Sequence, residues 1–161
     1  MVSIMNEALE LEAGQLVLEV GAGSGWHAST VAEIVAPTGM EKEEWGHVYT
    51  IEVIVELAEP ARKNLENAGY RDRVTVINGD GSEGYARMAP YDRILVTAAA
   101  PDVPKPLLEQ LKEGGVLVIP VGEVGFYQTL LRLRKKGGKI SREDLGGVAF
   151  VPLVGKHGFK V

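Results

Sequence analysis

The run Glu19-Val20-Gly21-Ala22-Gly23-Ser24-Gly25-Trp26 carries the densest chemical signal in the chain. Its alternate glycines permit a tight strand-to-helix turn and let a ligand touch bare backbone. Amides at the start of the helix that follows then point at that ligand. A dinucleotide fingerprint needs a further Gly at the sixth place, where Trp26 stands and blocks close helix–strand packing. Three acids share the pattern of Glu19: it closes one apolar run, Glu52 closes the next, and Asp80 follows a third. Ligands of a doubly wound sheet lie beyond the carboxyl ends of its strands, so acids at successive strand ends mark one site.

Those acids require strands to carry them. Leu16 to Val20 is a short apolar run with β-branched members between glycines, and reads as a buried strand. His47 to Ile51, Val74 to Ile77, Arg93 to Val96 and Val116 to Val121 read the same way. Helices are expected over Val2 to Leu11, Trp26 to Ala36, Ile54 to Ala68 and Pro104 to Lys112. Gly69 suits a left-handed C-cap, Pro60 sits awkwardly inside the third helix, and Gly114-Gly115 should close the fourth. Thr38 to Gly46 is charged and reads as an exposed loop. Alternating strands and helices imply an α/β chain with a parallel sheet covered on both faces. After Tyr127 the grammar changes: Gln128 to Arg134, a Gly137-Gly138 turn and Val148 to Leu153 predict antiparallel strands at one edge.

Composition narrows the function. At 161 residues and 45% hydrophobic, the chain predicts one domain, residues 1–161, with a core that needs no staple. Without cysteine there is no disulfide framework, thiolate nucleophile or cysteine-ligated metal, and no metal site is expected. Seventeen Lys and Arg against 22 Asp and Glu argue against a nucleic-acid partner. No apolar run approaches a membrane span, and the acidic start Met1 to Glu12 does not read as a secretory signal. The expectation is a soluble cytoplasmic protein without a membrane partner. Four Asn and three Gln beside plentiful Glu, Lys and Arg fit a thermophile.

The glycine spacing, with an acid two residues ahead, resembles motif I of class I S-adenosylmethionine-dependent methyltransferases. For that cofactor, Glu52 can accept two hydrogen bonds from ribose hydroxyls and Asp80 one from the adenine amino group. Longer strings are more specific. Gly79-Asp80-Gly81-Ser82-Glu83-Gly84-Tyr85, Ala89-Pro90-Tyr91-Asp92 and Val96-Thr97-Ala98-Ala99-Ala100-Pro101 closely resemble protein-L-isoaspartate O-methyltransferases. So do Val103-Pro104, Leu108-Glu109-Gln110-Leu111, Gly114-Gly115, Ile119-Pro120-Val121-Gly122 and Phe150-Val151-Pro152-Leu153.

The resemblance implies a three-layer Rossmann-like methyltransferase fold, mostly parallel with antiparallel strands at the C-terminal edge. It implies methylation of the free carboxyl of L-isoaspartyl and D-aspartyl residues in damaged proteins, with S-adenosyl-L-methionine as donor. It places Glu19, Gly21, Ala22, Gly23, Ser24, Gly25, Trp26, Glu52, Asp80, Gly81 and Thr97 at the cofactor, and Ala98, Ala99, Val151, Pro152 and Leu153 at the isoaspartyl peptide. An ionised carboxylate needs no general base, so scarce histidine is no objection. His27 reads as a helix-surface residue, His47 and His157 as structural or solvated, and Tyr85 as either an adenosine neighbour or a core tyrosine.

The likeness departs at the front. Family members carry an amino-terminal helical region and a Thr-x-Ser-type loop over the methyl-transfer site. This sequence starts at the next helix, so Ser3 does not match that serine and no catalytic residue is matched. Cofactor binding is therefore expected to be more complete than catalysis. The Thr38 to Gly46 loop is also longer than the usual family connection. The alternatives are a class I methyltransferase with another substrate, such as a small molecule or RNA, and a non-catalytic S-adenosylmethionine-binding module. A methylation assay paired with a cofactor titration separates them.

Overall fold

A computed structural model describes residues 1–160. Helix α1 is Val2–Leu9, followed by β1 Leu16–Val20, α2 Trp26–Val35, β2 His47–Glu52, α3 Val55–Asn67 and β3 Val74–Asn78. Then come β4 Tyr91–Val96, α4 Lys105–Gln110, β5 Leu111–Gly122, β6 Gln128–Lys136 and β7 Lys139–Val148. The strands form one sheet in the order β3-β2-β1-β4-β5-β6-β7. Strands β1 to β5 pair in parallel, while β6 and β7 add antiparallel. The expected α/β class, sheet and antiparallel edge are all present.

Side chains alternate along β1 and so feed two cores. Val17 packs with Met5, Leu9, Val31 and Leu65 under α1, α2 and α3. Leu18 and Val20 pack with Ile94, Leu107 and Leu117 on the face that α4 covers. The chain runs from β1 outward to β3, then returns to place β4 on the other side of β1. That reversal opens a crevice at the carboxyl ends of β1 and β4, where such sheets hold ligands.

Several boundaries differ from expectation. Helix α1 stops at Leu9, because Glu10 turns left-handed at φ 53°. Arginines from distant strands take up the freed carbonyls: Arg93 Nε donates to Leu9 O at 2.6 Å and Arg132 donates to Ala8 O at 3.3 Å. Cations at a helix C-terminus also oppose its dipole. Helix α4 ends at Gln110, and Gly114-Gly115 lie inside β5 instead of closing the helix. Pro60 is accommodated within α3, and Gly69 has φ 86° just past it, as a C-cap glycine should. Residues Lys42–Glu44 of the expected loop form one turn of 3₁₀ helix.

The largest correction concerns the last strand. Gly137 and Gly138, at φ 62° and 71°, make the hairpin turn, but the returning strand is Lys139–Val148, not Val148 to Leu153. An edge strand meeting water needs no apolar run, and Lys139–Val148 is mostly exposed, with four charged residues among its ten. Residues 149–153 instead cross back to the end of β4. Ala99 N donates to Val151 O at 2.8 Å and Leu153 N to Ala99 O at 2.8 Å.

Candidate functional site

Four loops meet at the crevice. Gly21 follows β1 with φ 99°, and a Cβ there would stand 2.4 Å from Thr97 Oγ1. Only glycine fits that approach. Thr97 closes it from the β4 side, its hydroxyl donating to Gly21 O at 2.8 Å and its N–H to Val20 O at 2.9 Å. From β2, Glu52 turns its carboxylate towards the glycine turn. Oε2 accepts from Gly23 N at 3.0 Å and Oε1 from Ile54 N at 3.1 Å. From β3, Gly81 lies so close to β1 that a Cβ would sit 2.3 Å from Val20 Cγ1.

Between these loops lies a cavity of about 640 Å³. That is within the usual range for a small-molecule site. Of the expected residues, Gly21, Gly23, Glu52, Gly81, Thr97, Ala98, Val151, Pro152 and Leu153 line it. Ala99 lies behind the wall, where its backbone holds Val151 and Leu153. Val53, Ile54 and Leu57 form an opposite apolar wall that sequence reasoning missed. Three apolar side chains just after the β2 acid, where a surface helix should open with polar residues, were the available signal.

Other expected residues stand apart. Trp26 is 68% exposed, and with Ser24, Gly25 and Asn64 it borders a separate depression of about 230 Å³. The close approach expected of a glycine at Trp26 falls on Gly25 instead, where a Cβ would meet Leu65 at 2.9 Å. Ala22 is buried and outside the lining. Glu19 is fully buried, with Oε1 accepting from Thr50 Oγ1 at 2.6 Å and Oε2 without a partner. Burial pushes its carboxyl up to about 8, opposed by the Thr50 bond and reinforced by the Glu52 charge. It is therefore a neutral group beneath the turn, not the ligand-facing carboxylate that was expected.

Asp80, expected at the adenine, is engaged by groups of the protein itself. Its Oδ1 accepts from Ser82 N at 2.9 Å and Ser82 Oγ at 2.7 Å, while Oδ2 accepts from Lys156 N at 2.8 Å. The side chain thus serves the turn after Leu153, and it does not line the cavity. Those hydrogen bonds hold its carboxyl below the usual carboxylate range against the opposing effect of burial.

His27, read as a helix-surface residue, is half-buried and bonded to a neighbouring helix. Its Nε2 lies 2.8 Å from Asn6 Oδ1, joining α2 to α1, and burial lowers it to about 4. A neutral ring donating through Nε2–H follows, since Asn6 Nδ2 already donates to Thr30 Oγ1 at 3.0 Å. His47 makes a structural contact, its Nε2 2.7 Å from Thr75 Oγ1. Tyr85 is partly buried against the core, its ring 5.7 Å from that of Tyr49. Among the described residues, no group of three His, Asp or Glu is placed to hold a metal ion, and no helix is long and apolar enough to cross a membrane.

Known proteins share this architecture. The family model for protein-L-isoaspartate(D-aspartate) O-methyltransferase matches residues 1–158. A protein-L-isoaspartate O-methyltransferase of Hyperthermus butylicus is 57% identical over 99% of this chain, and one of Korarchaeum cryptofilum 55% over 99%. The chain spans 66% and 72% of those relatives' lengths. A solved protein-L-isoaspartate O-methyltransferase superposes with a TM-score of 0.86 at 30% identity, covering 98% of this chain and 47% of that one. A Plasmodium falciparum structure, described as a protein-L-isoaspartate O-methyltransferase in complex with S-adenosyl-L-homocysteine, gives 0.80 at 25% identity over 95% and 71% of the two chains. Carrying that family's pattern through all but its last three residues, this chain belongs to the protein-L-isoaspartate(D-aspartate) O-methyltransferases.

Proposed function

We propose that this chain, as one domain, transfers a methyl group from S-adenosyl-L-methionine to the free carboxyl of L-isoaspartyl and D-aspartyl residues in damaged proteins. The observation that carries the reading is one cavity with two kinds of wall. Glycine backbone and Glu52 face it on one side, and Thr97, Ala98 and residues 151–154 on the other.

The residues present fit the cofactor. Gly23 has φ 53° with no atom within 4 Å of an added Cβ, so its bare backbone faces open space. Each Glu52 oxygen accepts a single backbone hydrogen bond, leaving lone pairs for two ribose hydroxyls. Those two backbone donors also fix the carboxylate before any ligand arrives, which lowers the ordering cost of binding. When bound, the sulfonium supplies an electrophilic methyl carbon that an ionised carboxylate attacks in line, the carbon–sulfur pair remaining on sulfur.

The chain's own contribution is positioning and exclusion of water. Among the described residues Glu52 is the one ionisable group lining the cavity, and the walls bring mostly apolar surface. Fewer waters then compete for the substrate carboxylate. Among the described residues no lysine or arginine lines the cavity to pair with that carboxylate and blunt its nucleophilicity. The Ala98 and Val151 amides are the neighbouring backbone donors that could orient it, since those of Thr97, Ala99 and Leu153 already bond within the protein and Pro152 has none.

A methylation assay with an isoaspartyl peptide, run beside calorimetry with S-adenosylmethionine, tests the reading. Saturable cofactor binding and methyl ester formation are expected. Binding without methylation of any isoaspartyl peptide would reduce the chain to a cofactor-binding module, and methylation of only another substrate would replace the substrate assignment.

A further inference from the structure

We propose that Gln128 is a positioning residue for the isoaspartyl peptide: its side-chain amide fixes the course of residues 150–153 and so sets which backbone N–H of that segment is offered to substrate. The inference rests on the methyltransferase reading above and concerns the peptide side of that site.

Gln128 is 2% exposed, so both ends of its amide need partners inside the protein. Phe150 supplies both. Gln128 Nε2 donates to Phe150 O at 3.1 Å, and Oε1 accepts from Phe150 N at 2.6 Å. This two-way pair copies a rung of antiparallel sheet, with a side chain standing in for one strand. Its place explains its use. Gln128 opens β6, paired with Gly122 of β5 and with Val148, the last residue of β7. Beyond Val148 the chain leaves the sheet, and the amide holds it as it crosses to Ala99.

The fastenings close into a ring. Gly122 N donates to Ala100 O at 3.0 Å, and Ala99 N to Val151 O at 2.8 Å. Gln128 grips Phe150, and its backbone pairs with Gly122 across the β5–β6 ladder. Every other link of the ring is backbone, so Gln128 is the link that a substitution can cut. Apolar burial adds little at this point, since Val151 is 69% exposed and Phe150 only partly buried. The ring also assigns the amides. Phe150 N–H goes to Gln128, Leu153 N–H goes to Ala99, and Pro152 has none. Of residues 150–153, Val151 alone keeps an N–H for a ligand, and Val151 lines the cavity. Without Gln128, Phe150 N–H becomes a second, competing donor and the segment loses its upstream hold. Gln128 itself stands outside the lining, far in the fold from the glycine turn and Glu52, so its loss should reach the peptide and spare the cofactor.

The test uses two variants. Gln128→Met keeps the length of the side chain without its hydrogen bonds. Gln128→Asn keeps an amide one methylene too short to grip Phe150, and stands in if the first does not fold. Three quantities are read: amide hydrogen exchange, KM and kcat with an isoaspartyl peptide, and S-adenosylmethionine affinity by calorimetry. Phe150 loses its acceptor in any case, so the informative amides are Ala99 and Leu153, whose own acceptors the substitution leaves in place. Both should exchange about tenfold faster, while amides of the β1–β2 ladder keep their rates. Peptide KM should rise about tenfold, with kcat and cofactor affinity within about threefold of wild type. Faster exchange at Phe150 alone would overturn the proposal, and so would faster exchange at Ala99 and Leu153 with an unchanged KM. Faster exchange throughout the sheet, with cofactor affinity falling alongside KM, would make Gln128 a general structural residue and overturn it as well. Exchange needs no turnover, so the two readings fail separately. A wild-type chain that methylates no isoaspartyl peptide sinks the substrate assignment, whereas unchanged exchange at Ala99 and Leu153 sinks the positioning role alone.

Discussion

Gly23 donates its backbone N–H to Glu52 Oε2 at 3.0 Å, so the glycine turn after β1 and the acid closing β2 are one unit. Neither can move without the other, and both face the same cavity. Glu52→Ala removes the ribose acceptor and frees two backbone amides. Cofactor affinity should fall by about 1.5–3 kcal/mol, the scale of hydrogen bonds to a charged group. S-adenosylhomocysteine keeps the same ribose and should weaken in parallel. Calorimetry with both ligands checks it, and a loss confined to the sulfonium form would remove Glu52 from the ribose.

At Gly23 conformation and ligand space can be separated. Valine is strained at φ 53° and also fills the space where no protein atom lies within 4 Å. Asparagine tolerates that left-handed region. Gly23→Val should abolish cofactor binding, whereas Gly23→Asn should melt close to wild type and still bind weakly. Full affinity in the asparagine variant would show that the open space is not ligand space.

Glu19 gives stability a definite pH dependence. The folded carboxyl keeps its proton up to about 8, whereas the unfolded one releases it near 4.5. Between those values the folded state binds more protons, so stability falls as pH rises across the window and levels off above it. Burial is the main cause, and the effect should be on the order of a few kcal/mol. Glu19→Gln is neutral throughout and should flatten this contribution. Urea unfolding at several pH values across that window, for both proteins, decides it; parallel slopes would mean that Glu19 is ionised in the fold.

Trp26 occupies the sixth place of the glycine motif yet points to solvent, away from the cavity lining. Trp26→Ala should change cofactor affinity by less than about threefold, or roughly 0.7 kcal/mol. A larger loss would show that the indole folds over the bound ligand.

Much of the site was legible because its determinants are local. Gly21, Gly23 and Gly25 all adopt positive φ, a freedom that the tight turn expected from their spacing uses. Glu52 ends its strand where the apolar run ends, and a parallel sheet sends such an end to the ligand crevice. Strand-forming runs and helix stripes placed ten of the eleven long elements within a few residues. The exception, β7, is an edge strand facing water, and its charged sequence carries no burial pattern to read.

By itself, then, the sequence determined the order of elements, the tight glycine turn and the positions of the strand-end acids. Each follows from periodicity or backbone sterics within a few residues. Only the tertiary structure decided what those acids do. Asp80 meets Lys156 across 76 positions and Arg132 meets Ala8 across 124, separations that no local pattern encodes. Glu19, Glu52 and Asp80 look alike in the chain, each an acid after an apolar run. Folding seals Glu19 from water, turns Glu52 to the cavity and ties Asp80 to the turn beyond Leu153. A carboxyl's role is set by the water it loses and the donors it gains, and both are properties of the packed molecule.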